Sequence, residues 1–156
     1  MSFHLAQVNI ARMRNSIDHA SMVGLASHIE EMNQLAERSQ GFIWRLLGSE
    51  ATPDALHAFE EYFVPFEPAR LFYNLSVWNS VEDLKRFVYR TRHSEMLRGK
   101  DEWMASFERP SLAMWWVPIG HHPTIAESAG RLRGLHDRGP TEHAFTFARC
   151  FPKPAA

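Results

Sequence analysis

The stretch Leu71-Phe72-Tyr73-Asn74-Leu75-Ser76-Val77-Trp78-Asn79-Ser80-Val81-Glu82-Asp83-Leu84-Lys85-Arg86-Phe87, running on to His93, decides the fold. Residues 71–78 are rich in aromatic and branched side chains with polar residues interleaved, the pattern of a strand. Ser80 with Asp83 three residues on is a helix-start signature. A strand that turns directly into a helix over 80–92 is expected, with the helix continuing through Phe107.

Working outward, residues 3–12 alternate loosely and read as the first strand. Residues 18–39 are the clearest helix: Met22, Leu25, Ala26, Ile29, Met32 and Ala36 recur at three- and four-residue spacing, with charged and polar residues between them. Gly41 follows where a left-handed residue is expected, and residues 42–47 form a second strand. The stretch 48–70 is the least regular. Thr52-Pro53 caps a short helix reaching Glu61, and a connection of this length reads either as a lid or binding loop or as an insertion without a role. Residues 111–118 are a further strand. Thr124 with Glu127 is a second capping-box pattern, opening a helix to about His136. Residues 143–150 read as a short final strand and 151–156 as a mobile tail.

The order strand, helix, two strands, helix, strand is that of an α+β, ferredoxin-like βαββαβ antiparallel sheet with helices on one face, a single domain over 1–150. Its strands are apolar on both faces: Phe72, Trp78, Trp115 and Val117 alternate with Leu71, Tyr73, Leu75, Met114 and Trp116. A sheet with one wet face alternates between apolar and polar. The face away from the helices is therefore expected to be covered, and a second copy of the same sheet is the available cover, so the protein itself is the expected partner, in a homodimer.

The chain of 156 residues, 45 % hydrophobic, suffices for one core. A formal net charge of −1 argues against nucleic acid or an anionic membrane as partner, since both need clustered cationic charge. The single cysteine, Cys150, rules out an internal disulfide and points to a reducing compartment. No apolar run approaches a membrane span, and the stretch 1–14 lacks the pattern of a signal peptide. A cytoplasmic protein is expected. Phosphate loops, a nucleophilic serine elbow and dinucleotide fingerprints are absent. The nine histidines show no metal-type spacing, so no metal is expected.

The run Asn74-Leu75-Ser76-Val77-Trp78-x-Ser80-x-Glu82-x-Leu84-x-x-Phe87-x-Tyr89-x-x-x-His93, with Trp103 downstream, resembles the DUF3291 family of bacterial proteins. So do Trp115-Trp116-Val117-Pro118-x-Gly120-His121-x-Pro123-Thr124, the Gly139-Pro140-Thr141 turn and the opening His4-Leu5-Ala6-Gln7-Val8-Asn9. The chain departs from the family mainly in a longer 48–70 stretch. By similarity the family belongs with the dimeric α+β barrels, which include antibiotic-biosynthesis monooxygenases, haem-degrading oxygenases and muconolactone isomerases. The resemblance implies a dimeric barrel and no agreed activity.

Candidate site residues follow from strand and helix period. Asn74, Ser76 and Trp78 share one face of their strand, and Gln7 and Asn9 share one face of theirs. On the second strand Arg45 lies opposite Phe42, Trp44 and Leu46. Buried amides without partners cost about 1–3 kcal/mol each. These residues are therefore either a pocket floor orienting a small organic ligand or a self-satisfied network at a dimer core. Tyr89 and His93, one helical turn apart, line the mouth of such a pocket, with His93 as proton acceptor. Trp116 supplies an apolar wall, and His121 packs at a strand end or faces the pocket. The similar monooxygenases use no metal or bound cofactor. By that resemblance the chain is a monooxygenase-like or isomerase/cyclase-like enzyme on a small hydrophobic or aromatic molecule, with Asn74, Gln7 or Asn9 stabilising developing negative charge. Two alternatives stand: haem binding, although the ligating histidine of the haem-degrading relatives falls near Leu97 here, and a non-catalytic ligand-binding dimer.

Overall fold

The computed structural model describes residues 2–92 and 100–155. It is an α+β fold on a five-stranded antiparallel open sheet. In chain order the elements are β1 (Phe3–Met13), α1 (Val23–Glu37), β2 (Phe42–Arg45), α2 (Pro53–Leu56), β3 (Leu71–Trp78), α3 (Val81–Arg92), α4 (Lys100–Trp103), β4 (Met104–Ala105), β5 (Leu112–Pro118) and α5 (Ile125–Arg138). Among the described residues no helix is long and apolar enough to cross a membrane.

β1 is the central strand. One edge pairs with β3, from Leu5 opposite Trp78 to Arg12 opposite Leu71. The other edge pairs with β5, from Phe3 opposite Pro118 to Asn9 opposite Leu112, and then with β4 at Arg12 and Met13. β2 adds to the outer edge of β3. The helix expected to run through Phe107 therefore gives way at Met104: that residue and Ala105 extend the sheet, because the free edge of β1 at Arg12 and Met13 offers hydrogen bonds that β5 has stopped short of.

Local signals act as the residue types require. The Ser80 hydroxyl accepts the Asp83 N–H at 3.1 Å and donates to its carboxylate at 2.9 Å, starting α3. Gly41 has φ of 84° and closes the turn from α1 into β2, and a Cβ there would collide with the Asp83 side chain. Gly24 of α1 lies against the Trp103 ring, which a Cβ would meet at 2.7 Å. Thr52 caps α2 by accepting the Ala55 N–H, and Thr124 caps α5 by accepting the Glu127 N–H. The Glu127 carboxylate does not complete a capping box; it takes the Trp115 indole N–H at 2.9 Å and lies 2.8 Å from His121 Nε2. On α1 the buried stripe omits Ala26, which is exposed.

Both faces of the sheet are buried, as the strand composition requires, but the chain supplies both covers. On the face bearing Leu5, Gln7, Asn9, Asn74, Ser76 and Trp78 lie α1 and α3, through Ala36 and Leu84. On the opposite face, Ala6, Val8, Leu75, Val77, Trp115 and Val117 pack against Ile125, Ala129, Leu132 and Leu135 of α5 and against Leu56, Phe59, Tyr62 and Phe63. One expectation is corrected here: helices do not occupy one face only, since α5 and the 48–70 stretch cover the other. That stretch is thus a wall of the core rather than a lid. Each fully buried Leu or Phe in it contributes about 1.5–3 kcal/mol.

The C-terminal segment also differs from expectation. Residues 143–150 make a single bridge to the sheet, with Phe145 and Met114 exchanging both backbone hydrogen bonds, and two tight turns on either side. Phe151 belongs to the core, packing on Phe145, and its carbonyl accepts the Trp116 indole N–H at 2.9 Å.

Two outcomes follow from this packing. Because α5 packs on one face of the sheet, Leu132→Ala should cost about 2–5 kcal/mol in chemical denaturation. A cost near zero would show that α5 does not complete that face. Burial alone would push the Glu127 carboxyl up. Hydrogen bonds from His121 and Trp115, with the charges of His121 and Arg131, outweigh it and hold the carboxyl below the usual carboxylate range. A depressed folded pKa stabilises above the unfolded value of about 4.3 and is lost as pH falls through the folded one. Denaturation midpoints of Glu127→Gln should therefore lie below wild type at neutral pH and converge with it in acid.

Candidate functional site

A cavity of about 150 Å³ lies between the sheet face bearing Gln7 and the inner faces of α1 and α3. Its floor is polar. From β1 come Gln7 and Asn9, from β3 Asn74, Ser76 and Trp78, and these residues stand opposite one another in register: Asn9 faces Asn74, Gln7 faces Ser76. Its walls are mainly apolar. α1 contributes Met32, Asn33 and Ala36; α3 contributes Leu84, Phe87, Val88 and Thr91; Phe42, Phe72 and Leu112 close the ends.

The floor is tied together by side-chain hydrogen bonds. Gln7 Nε2 donates to Asn74 Oδ1 and to Ser76 Oγ, each at 2.7 Å, and the Trp78 indole N–H donates to Ser76 Oγ at 2.9 Å. Gln7 is 4 % exposed and Ser76 5 % exposed, so these bonds form out of water, where a broken one is expensive. Trp78 is clamped as well: Phe87 stacks on it at 5.1 Å and Phe42 meets it edge-on at 5.5 Å. The floor is thus held in place by the protein itself, with the cavity above it.

Arg45 also lines the cavity, and it arrives there by a route that strand period does not give. Strict alternation sets Arg45 opposite Phe42. In the structure the pairing register shifts between Phe42 and Trp44, so Phe42 stands opposite Trp78, Trp44 opposite Val77 and Arg45 opposite Ser76. One extra residue, Ile43, resets the phase, and Phe42 and Arg45 come to share the cavity face while Trp44 and Leu46 join the opposite core.

Of the residues expected at the site, Gln7, Asn9, Arg45, Asn74, Ser76 and Trp78 line one cavity. Three others do not. Tyr89 is 63 % exposed, turned outward from the α3 stripe of Leu84, Phe87, Val88 and Thr91. Trp116 is on the same sheet face but packs under the C-terminal segment, bonded to Phe151 and with Lys153 Nζ 5.6 Å from its ring. His121 pairs with Glu127 at the start of α5, among residues that cover the opposite face. His93 lies outside the described residues.

The residues missed are those that α1 and α3 bring in. Asn33 had a readable signal: it stands four residues after Ile29 and three before Ala36, a polar residue inside an apolar stripe. The α3 set 84, 87, 88 and 91 is the inward stripe of that helix. Among the described residues that line the cavity none is His, Asp, Glu, Lys, Cys or Tyr, and Arg45 is the one charged group. Among the described residues no three His, Cys, Asp or Glu side chains gather to hold a metal ion.

The chain matches the family model described as "Domain of unknown function (DUF3291)" over residues 4–156. No curated protein and no solved structure matches it.

If the floor network is what holds β1 and β3 side chains in register, Ser76→Ala leaves the Trp78 indole N–H and one Gln7 N–H buried without an acceptor. It should destabilise by about 1–3 kcal/mol in urea unfolding. A neutral result would mean that water or the cavity satisfies both donors.

Proposed function

Because this chain belongs to the DUF3291 family, whose description names no activity, its function has to be read from the cavity, and we propose that the cavity is a binding site for a small, planar, single-ring organic molecule. The observation that carries this reading is the cavity of about 150 Å³ with a polar, pre-ordered floor and apolar walls. A cavity of about this size holds one benzene-sized ring. Small-molecule sites have this build, apolar walls giving affinity and a few placed polar groups fixing orientation. Phe42, Phe72, Phe87 and Val88 offer apolar surface, and Gln7, Asn9 and Asn74 offer amide groups to a ring substituent.

The size favours a small ligand over haem, since a porphyrin is several times larger than a single ring. It favours a ligand over a purely structural network, since a network serving only itself leaves no space above it. Binding comes before catalysis in this reading, because a proton-transfer reaction needs a base within hydrogen-bond reach. The described lining supplies none. A monooxygenase-like or isomerase/cyclase-like reading needs more than the described lining: His93, outside the described residues, would have to take a proton from the bound molecule, with the floor amides stabilising the resulting anion. We further read the strand order β2-β3-β1-β5, with α1 and α3 on one face, as the ferredoxin-like arrangement, to which α5 is an addition.

The test is titration of the protein with phenol, benzyl alcohol and benzoate, followed by tryptophan fluorescence and by amide NMR shifts. At least one should bind with shifts centred on Ser76 and Trp78. Val88→Phe, which fills the cavity from α3, should abolish the response while the protein stays folded. Absence of any response in the wild type, or an unchanged response in Val88→Phe, would remove the site.

A further inference from the structure

Resting on the reading of this cavity as a ligand site, we propose that its ligand is an anion, a small planar carboxylate whose charged group sits against Arg45. Three observations converge. Arg45 is the one charged residue among the described residues that line the cavity; the remaining polar lining is neutral amide, hydroxyl and indole. Its guanidinium is under-used: Nε is buried with no hydrogen-bond partner. Nη1 reaches the Leu46 carbonyl only at 3.4 Å and Nη2 reaches Glu37 Oε1 only at 3.5 Å. Finally, the chain spends a β-bulge at Ile43 to turn this side chain inward, leaving Ile43 itself 43 % exposed.

The chemistry follows from these facts. Both existing contacts lie at the long end for N–H···O bonds, so they satisfy the guanidinium poorly. The Arg45 side chain is 18 % exposed, whereas that of Glu37 is 48 % exposed. Glu37, on the solvent side, therefore neutralises little of the charge at the cavity. Withdrawing a cation from water without a well-placed partner is costly, and a carboxylate offsets that cost best because the guanidinium fork matches it with two parallel hydrogen bonds. Arg45 stands opposite Ser76 in register, so a carboxylate at Nε lies at one end of the polar floor. The ring it carries then extends along the cavity toward Phe87 and Val88. A neutral ring of the same shape gains the walls but not the charge.

Benzoate and its neutral analogue benzyl alcohol are the probes, measured by calorimetry on wild type, Arg45→Gln and Arg45→Lys, with folding of each checked by thermal melt. Benzoate should bind wild type about tenfold or more tightly than benzyl alcohol, the factor expected for hydrogen bonds to a charged group. Arg45→Gln should bring benzoate down to the level of benzyl alcohol and leave benzyl alcohol unchanged. Arg45→Lys should fall between, keeping the charge and losing the fork. Equal binding of both probes, or benzoate binding that survives Arg45→Gln, would overturn the anion while leaving the cavity a site for neutral rings. Binding of neither probe to wild type would overturn this inference, and if phenol also failed to bind it would remove the cavity reading with it.

Discussion

β1 is hydrogen-bonded along both edges and buried on both faces, and the rest of the structure depends on meeting that constraint. A strand in that position exposes little to water, so each face needs a cover of its own. The chain provides α1 and α3 for one and α5 with the 48–70 stretch for the other. The second cover is made of large rings and aliphatic groups, Phe59, Tyr62, Phe63 and Leu132 against Trp115, and no polar floor interrupts it. The first must accommodate Gln7, Asn9, Asn74 and Ser76, polar side chains of which Gln7 bonds to Asn74 and Ser76 within the sheet face. The difference in side-chain type between the two faces of one strand is why the polar-floored cavity forms on the α1 and α3 side.

The same asymmetry orders the chemistry. Trp78 and Gln7 both give hydrogen atoms to one serine oxygen, and Gln7 gives again to Asn74. Such a chain is rigid because each donor has one partner in reach and water is excluded. A ligand above it meets groups already oriented, so little ordering cost falls on binding.

Much of this was legible in the residues. Leu71–Trp78 was bounded correctly by its composition, and the Ser80 and Thr124 caps by their spacing, because strand content and capping are local properties. The two faces of β1 followed from period two, and with them the polar floor. What alternation could not show was the bulge. A one-residue shift depends on how β2 meets β3, so Arg45 was placed opposite Phe42 when both share the cavity. Nor could it show which element covers the second face: greasy strands demand a cover, and only the packing of Leu132 and Tyr62 reveals that the cover is the same chain. Tyr89 failed for a simpler reason. Spacing along a helix does not give the direction of a face, and the stripe Leu84, Phe87, Val88 and Thr91 is the one that meets the cavity while Tyr89 is exposed.

Departures from the usual rules of burial gather in two places, and comparing them separates structure from function. Arg12 is also buried with both Nη atoms unpartnered, but its guanidinium lies 3.9 Å from the centre of the Phe63 ring, beside the Glu67–Arg70 ion pair. The ring face offsets part of the lost hydration, and Arg12 reaches it from a regular stretch of β1 without altering the sheet. Arg45 has no such face, and two long contacts serve it instead. To bring it inward the chain also gives up regular pairing on β2 and exposes an isoleucine. A substitution to a neutral residue on a regular strand would remove all three costs at once. That the costs sit together at the end of a polar floor, beside empty space, is what a site awaiting an anion would show, and what a merely stable core would not.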